Sequence, residues 1–219
     1  MILDVYMHGR RHQPSTWQET QLLVTALVEN VPEPEPHPDA KPVTGHLAQA
    51  ISQVLEGLPQ ATWPYGGQTA EFTFTERSEG STGGLLDFDS YLHVAVNART
   101  GHGALKWMLT RGSTVAMDPS IADQVWLSDN PAPPSKDPNV IADPGFPLFH
   151  HPRSVLPVGR IRAAVEEYCR AGTGHRPTCT GWTPGQTSGR RLDSPVAEPY
   201  ITHCEDPWCE IPEPEHPAH

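Results

Sequence analysis

Proline decides where this chain can carry regular structure. Of its 25 prolines, five fall within 31–43, eight within 129–157 and seven within 183–219. Each lacks the amide donor that a helix or ladder needs, and each biases the residue before it toward extended backbone. Helices and strands are therefore confined to the stretches between the clusters. P-E-P-E-P-H-P (32–38) reads as a stiff, extended connector. The cluster at 129–157 differs, because it keeps Val140, Ile141, Phe146, Leu148 and Phe149 among its prolines. A solvated linker has no use for such side chains, so an ordered loop lying over a sheet is expected there.

Between the clusters, apolar spacing assigns the elements. Residues 2–7 alternate as a first strand, and Ser15 or Thr16 can cap a helix to about Glu29 with Leu23, Leu27 and Val28 on one stripe. Thr44 caps a second helix to about Gly57, where Leu47, Ile51, Val54, Leu55 and Leu58 keep helical spacing. The period then changes to two. Phe72 and Phe74, then Leu92, Val94 and Val96, then Leu105, Trp107 and Leu109 mark three strands; Val115 with Met117 and Val125 with Leu127 suggest two more. S-E-G-S-T-G-G (78–84) is a loop by composition, and the R-T-G-H-G turn (99–103) predicts antiparallel pairing of its flanking strands. Pro157 opens a final helix with Val158, Ile161, Val165, Tyr168 and Cys169 on its buried stripe, and Gly172 stops it. A last strand is expected over 177–182. The reading is one α+β domain over 1–182: a mainly antiparallel sheet, two N-terminal helices and one C-terminal helix, with the 31–43 connector inside it. Residues 183–219, acidic and rich in proline without periodicity, are expected to be a disordered tail.

The chain carries 15 basic and 26 acidic residues, a net of -11. Residues 183–219 hold two of the basic and seven of the acidic side chains, leaving 13 and 19 for 1–182. Such a balance disfavours a phosphate backbone as partner and suits either a basic protein or plain solubility. No apolar run reaches the 18 or so residues that span a bilayer, so no membrane partner is expected. M-I-L-D-V-Y-M-H lacks the basic and long apolar regions of a secretory signal, and a cytoplasmic location is expected. Cys169, Cys179, Cys204 and Cys209 all lie in the last quarter and cannot staple the body.

Reactive chemistry is sparse. Asp87, Asp89, Tyr91 and His93 would share one face of an extended segment, where carboxylates and imidazole could hold a metal or move protons. Leu92, Val94 and Val96 fill the other face, which is also what any half-buried strand looks like. His102 lies in G-H-G, where a hairpin needs the glycines. His150 and His151 are adjacent and point in opposite directions if extended. Cys204, Cys209, His216 and His219 are spaced C-x4-C-x6-H-x2-H, which misses the zinc-finger pattern at every interval. Cys169 on the helix stripe is expected to be a small buried hydrophobe. Trp126, Asp129 and Asn130 end a strand at a proline loop; they suit an interface, or equally a core tryptophan followed by an Asx turn. No catalytic residue, cofactor or metal site is assigned.

The order and spacing of several motifs resemble the first-numbered family of immunity proteins from bacterial polymorphic toxin systems. These are V-W-L-S-D-N-P (125–131), D-P-G-F-P-L-F (143–149), S-V-L-P-V (154–158) and R-P-T-C-T-G-W (176–182), preceded by G-G-Q-T-A-E-F (66–72) and the stretch 92–97. The resemblance covers about 60–182 well, 1–60 loosely and the tail not at all. It implies a non-enzymatic α+β protein that binds a cognate toxin and blocks its active site. The toxin it implies is frequently of the nucleic-acid deaminase fold, with a basic substrate channel and a zinc-activated water. Nucleic acid would be the toxin's ligand and not this chain's. Interface positions on this reading are Asp87, Asp89, Trp126, Asp129, Asn130, Asp143 and Phe146. Two other classes stay open: a small metal-dependent hydrolase using Asp87, Asp89 and His93, and a scaffolding module acting through the acidic tail.

Overall fold

The period-two segments pair side by side into one sheet. The computed structural model describes residues 1–7, 9–29, 67–75, 89–110, 113–115, 119–122, 124–143 and 148–194. Its elements are β1 (Ile2–Met7), β2 (Arg10–His12), α1 (Trp17–Glu29), β3 (Gly67–Thr75), β4 (Ser90–Asn97), β5 (His102–Leu109), a one-turn α2 (Pro119–Ala122), β6 (Val125–Asp129), β7 (Ile141–Asp143), β8 (Leu148–Phe149), β9 (Leu156–Pro157), α3 (Val158–Ala171) and β10 (Gly181–Gly185). The main sheet runs β10-β6-β5-β4-β3-β1-β2, with β9 also pairing to β5, and β7 and β8 form a separate hairpin. Every pairing is antiparallel. The architecture is α+β, as the sequence predicts.

Register explains which side is core. Val5, Phe72, Leu92, Trp107 and Trp126 stand opposite one another in turn across five strands, so they share one face. Helices α1 and α3 lie on that face and bury Leu23, Val24, Leu27, Ile161, Val165 and Tyr168 against it. Phe72 and Leu92 are fully buried, and each such side chain stabilises the fold by roughly 1.5–3 kcal/mol. The Tyr168 hydroxyl lies 2.7 Å from Ser90 Oγ and 3.4 Å from the Phe72 carbonyl oxygen, so its polar end is satisfied inside the core.

Local chemistry directs where α1 begins and where α3 begins and ends. Thr16 caps α1: its Oγ1 accepts from the Glu19 amide at 3.2 Å, while Glu19 Oε2 accepts from the Ser15 and Thr16 amides at 2.6 and 3.3 Å. Helix α3 starts one residue after Pro157 and stops at Gly172, which takes the left-handed conformation (φ 62°).

Some expectations differ from the structure. Val115 is a buried residue in a bend, held by neighbours that serve Asp89, and is not part of a strand. The last strand is Gly181–Gly185 instead of 177–182, because the amides of Thr178 and Cys179 are taken by Glu167. Residues 183–194 are ordered although they lack periodicity. Gln186 and Arg190 close a turn by a 2.9 Å amide-to-carbonyl bond, and the Leu192 amide donates to the Pro184 carbonyl. The connector at 31–43, the helix expected near 44–57, the loop at 78–84 and residues 195–219 lie outside the described residues.

Candidate functional site

Strand alternation puts a second row on the face away from the helices. Tyr6, Glu71, His93, Lys106, Leu127 and Thr183 stand opposite one another in turn. Lys106 is flanked by Leu105 and Trp107 on the core face, so its stem is trapped in the sheet and its ammonium must find acceptors above it. It donates to the carbonyls of Ala142 and Thr187, both at 2.8 Å. One ammonium thereby ties the β7–β8 hairpin and the 186–193 segment to the sheet. Burial lowers the Lys106 pKa, and the Asp143 and Glu71 carboxylates oppose that. The Tyr91 hydroxyl donates to Glu71 Oε1 at 2.9 Å; burial and this carboxylate push the phenol up.

Two histidines border the ammonium. His93 and His150 are 4% and 1% exposed. His93 Nδ1 and both ring nitrogens of His150 have no hydrogen-bond partner among the described residues. Burial holds both imidazoles neutral. It drives His150 to about 3, with Lys106 adding to the effect, and Lys106 and His150 lower His93 further. The 186–193 segment closes over His150 at Gly189 (φ +83°), where a Cβ would meet Ala142 Cβ at 2.5 Å and His150 Nδ1 at 3.2 Å. His151 faces away, half-exposed, and accepts from the Arg153 amide at 3.1 Å. The two adjacent histidines therefore do diverge.

At the β6 end the side chains serve the fold. Trp126 donates its indole N–H to the Ile121 carbonyl at 3.2 Å, and the Arg176 guanidinium stacks 4.2 Å above its ring. Trp107 and Trp182 stand 5.9 and 5.7 Å from the same guanidinium. Asp129 pairs with Arg191 at 2.8 Å. Arg191 is 1% exposed; it also pairs with Asp193 at 2.7 Å and donates to the Arg153 carbonyl at 3.0 Å. Asn130 donates to the Val155 carbonyl at 2.6 Å and accepts from the Ala132 amide at 3.1 Å, which is the Asx turn read from the sequence.

The residues singled out from the sequence do not gather at one point. Asp89 Oδ1 accepts from the Thr114 amide and hydroxyl at 2.7 and 2.9 Å, so it is engaged with a loop. Trp126 faces the helix side, while Asp143 sits on the hairpin over the opposite face. Asp87 and Phe146 lie outside the described residues. Among the described residues no group of three or more His, Cys, Asp or Glu is arranged to hold a metal ion. Cys169 is partly buried and packs against the core; burial, helped by Glu166, pushes its thiol up. Sequence reasoning missed Lys106, Arg176, Arg191 and Glu167. A lysine between two core residues of an alternating strand was a readable sign for Lys106. Asp193 is a near neighbour of Arg191, but nothing local marked Arg191 as a tie across the fold, because its partners there are 38 and 62 positions away in the chain.

Charge is partitioned. The described residues carry 12 basic and 11 acidic side chains, leaving 3 basic and 15 acidic for the remainder. The acidic excess therefore falls on residues other than the described ones, in segments such as 30–66, 76–88 and 195–219. Among the described residues no helix is long and apolar enough to cross a membrane.

A family model described as immunity protein Imm1 matches residues 8–184. No curated protein and no solved structure gives a significant match to the chain.

Proposed function

The chain belongs to the immunity protein Imm1 family, and from that premise we propose that it neutralises a cognate toxin by binding it, without catalysing a reaction. The match over 8–184 carries this reading, since it spans α1, α3, the sheet strands after β1, the hairpin and the Trp182 segment together. The proposed toxin is a nucleic-acid deaminase whose basic substrate channel is occluded by this chain in the cytoplasm. The net charge of -11 supports a basic partner. On this reading the acidic segments 30–66, 76–88 and 195–219 supply long-range steering, and the sheet and hairpin supply shape recognition.

Asp87, Asp143 and Phe146 are proposed to face the toxin directly. Asp89, Trp126, Asp129 and Asn130 contribute by fixing the backbone that presents the surface. The complex should bury on the order of 1,600 Å² in total and reach about -12 kcal/mol.

Co-expression with the toxin encoded immediately upstream tests the reading. Restored growth with a stoichiometric complex is expected, together with loss of base deamination in vitro at equimolar inhibitor. Failure of rescue and of co-purification by folded protein would overturn it.

A further inference from the structure

The buried cluster on the face away from α1 and α3 is not used by the proposed function. From its geometry we propose that His93, Lys106 and His150 form an acid-sensitive latch holding the β7–β8 hairpin and the 186–193 segment on the sheet. The Lys106 ammonium is the fixed part, bonded to Ala142 and Thr187 carbonyls, one on each covering segment. The histidines are the variable part. Each lies at the boundary between sheet and cover, and three of their ring nitrogens are without partners among the described residues. A proton on either imidazole places a second cation beside the ammonium and leaves a charged N–H without an acceptor in a dry site. Lifting the cover restores water to both rings, so acid favours the open form.

The charged and titratable groups around this cluster come from four elements. Strand β3 supplies Glu71 opposite His93, β4 supplies Tyr91 stacked on His93 at 6.3 Å, β5 supplies Lys106, and β7 supplies Asp143, whose carboxylate acts on Lys106. The carboxylates are already engaged. Glu71 accepts from Tyr91, and both Glu71 and Asp143 offset the Lys106 charge. The sign follows from linkage: a histidine held neutral when covered and free near 6.5 when open loses latch stability as pH falls below 6.5. Between pH 7.5 and 5.0 one such histidine raises the open population by about 30-fold. The latch is a property of the fold and operates whatever partner the chain binds.

Hydrogen exchange on the full chain tests this, with rates corrected for the intrinsic pH dependence of exchange. The reporter is the His150 amide, which bonds to the Val140 carbonyl at 2.8 Å. Its protection factor should fall at least about 30-fold from pH 7.5 to 5.0 in the wild type, while core amides of β4 fall much less. In His150→Phe, which keeps a ring and removes the titration, about 30-fold of that dependence should vanish. An unchanged dependence in His150→Phe, or flat protection in the wild type, would overturn the latch. Should that variant fail to dock its hairpin, an NMR titration of wild-type His150 decides: ring titration near 6.5 with the hairpin amides still protected refutes it.

Discussion

Glu167 offers the sharpest test of how the C-terminal strand is held. Its carboxylate accepts from the Thr178 amide and hydroxyl at 2.7 and 2.8 Å and from the Cys179 amide at 3.0 Å, bridging α3 to the segment that leads into β10. Burial raises this carboxyl, but hydrogen bonds from the Cys179 thiol, from Thr178 and from the Cys179 amide outweigh it and bring it down to about 2. Moving a carboxyl from 4.5 to about 2 corresponds to roughly 3 kcal/mol in a dry site. Solvent screening at this part-exposed position reduces the value to about 1–2 kcal/mol. Because the folded value is depressed, the stabilisation is complete above 4.5 and is lost as pH falls toward 2. Glu167→Gln keeps the size and removes the charge. Urea unfolding followed by tryptophan fluorescence should show a midpoint lower by about 0.5–1 M at pH 7, taking a slope of about 2 kcal/mol per M. The gap should narrow below pH 4.5 and approach zero near pH 2. Histidine titration lowers both proteins alike and cancels in the difference. Equal midpoints at pH 7, or a gap that stays constant down to pH 3, would refute the reasoning.

Arg191→Ala removes a buried cation that pairs with two part-exposed aspartates and a carbonyl, and should cost about 2–3 kcal/mol in urea unfolding, since water reaches the aspartates left behind; a loss below 1 kcal/mol would show that 186–193 is not anchored through it. Thr16→Ala deletes the α1 cap and should cost about 1 kcal/mol by the same assay, with no change in the pH dependence. Truncation after Ser194 removes six acidic and no basic residues, so association with a basic toxin should slow and lose salt dependence while growth rescue persists. Stopped-flow association at two ionic strengths checks this, and an unchanged rate would place the steering elsewhere.

Periodicity was enough to find β1 and β3 to β6 because a sheet with one apolar face imposes a two-residue repeat. Leu92, Val94 and Val96 could be read as one face without knowing their neighbours, and the same spacing in helical form marked Ile161, Val165 and Tyr168. Capping chemistry is equally local, so Thr16 and Gly172 were legible as a start and a stop. Polar roles were not. Asp89 looked like a candidate ligand beside His93, yet its carboxylate serves Thr114, 25 positions on. The end of the domain was also illegible, since residues 183–194 are ordered by the Arg191 contacts and by Lys106 reaching Thr187.

What the sequence determined by itself is the long strands β1 and β3 to β6, the helices α1 and α3, and their apolar faces, because these depend on spacing within a few residues. Only the tertiary structure decided what the buried charges do. Lys106 and Arg191 are compulsory donors that take whatever acceptors the completed fold brings within about 3 Å; Asp193 beside Arg191 apart, those come from segments distant in the chain. The neutral state of His93 and His150 has the same origin. It is set by a cover that exists only once the hairpin and the 186–193 segment have closed over the sheet.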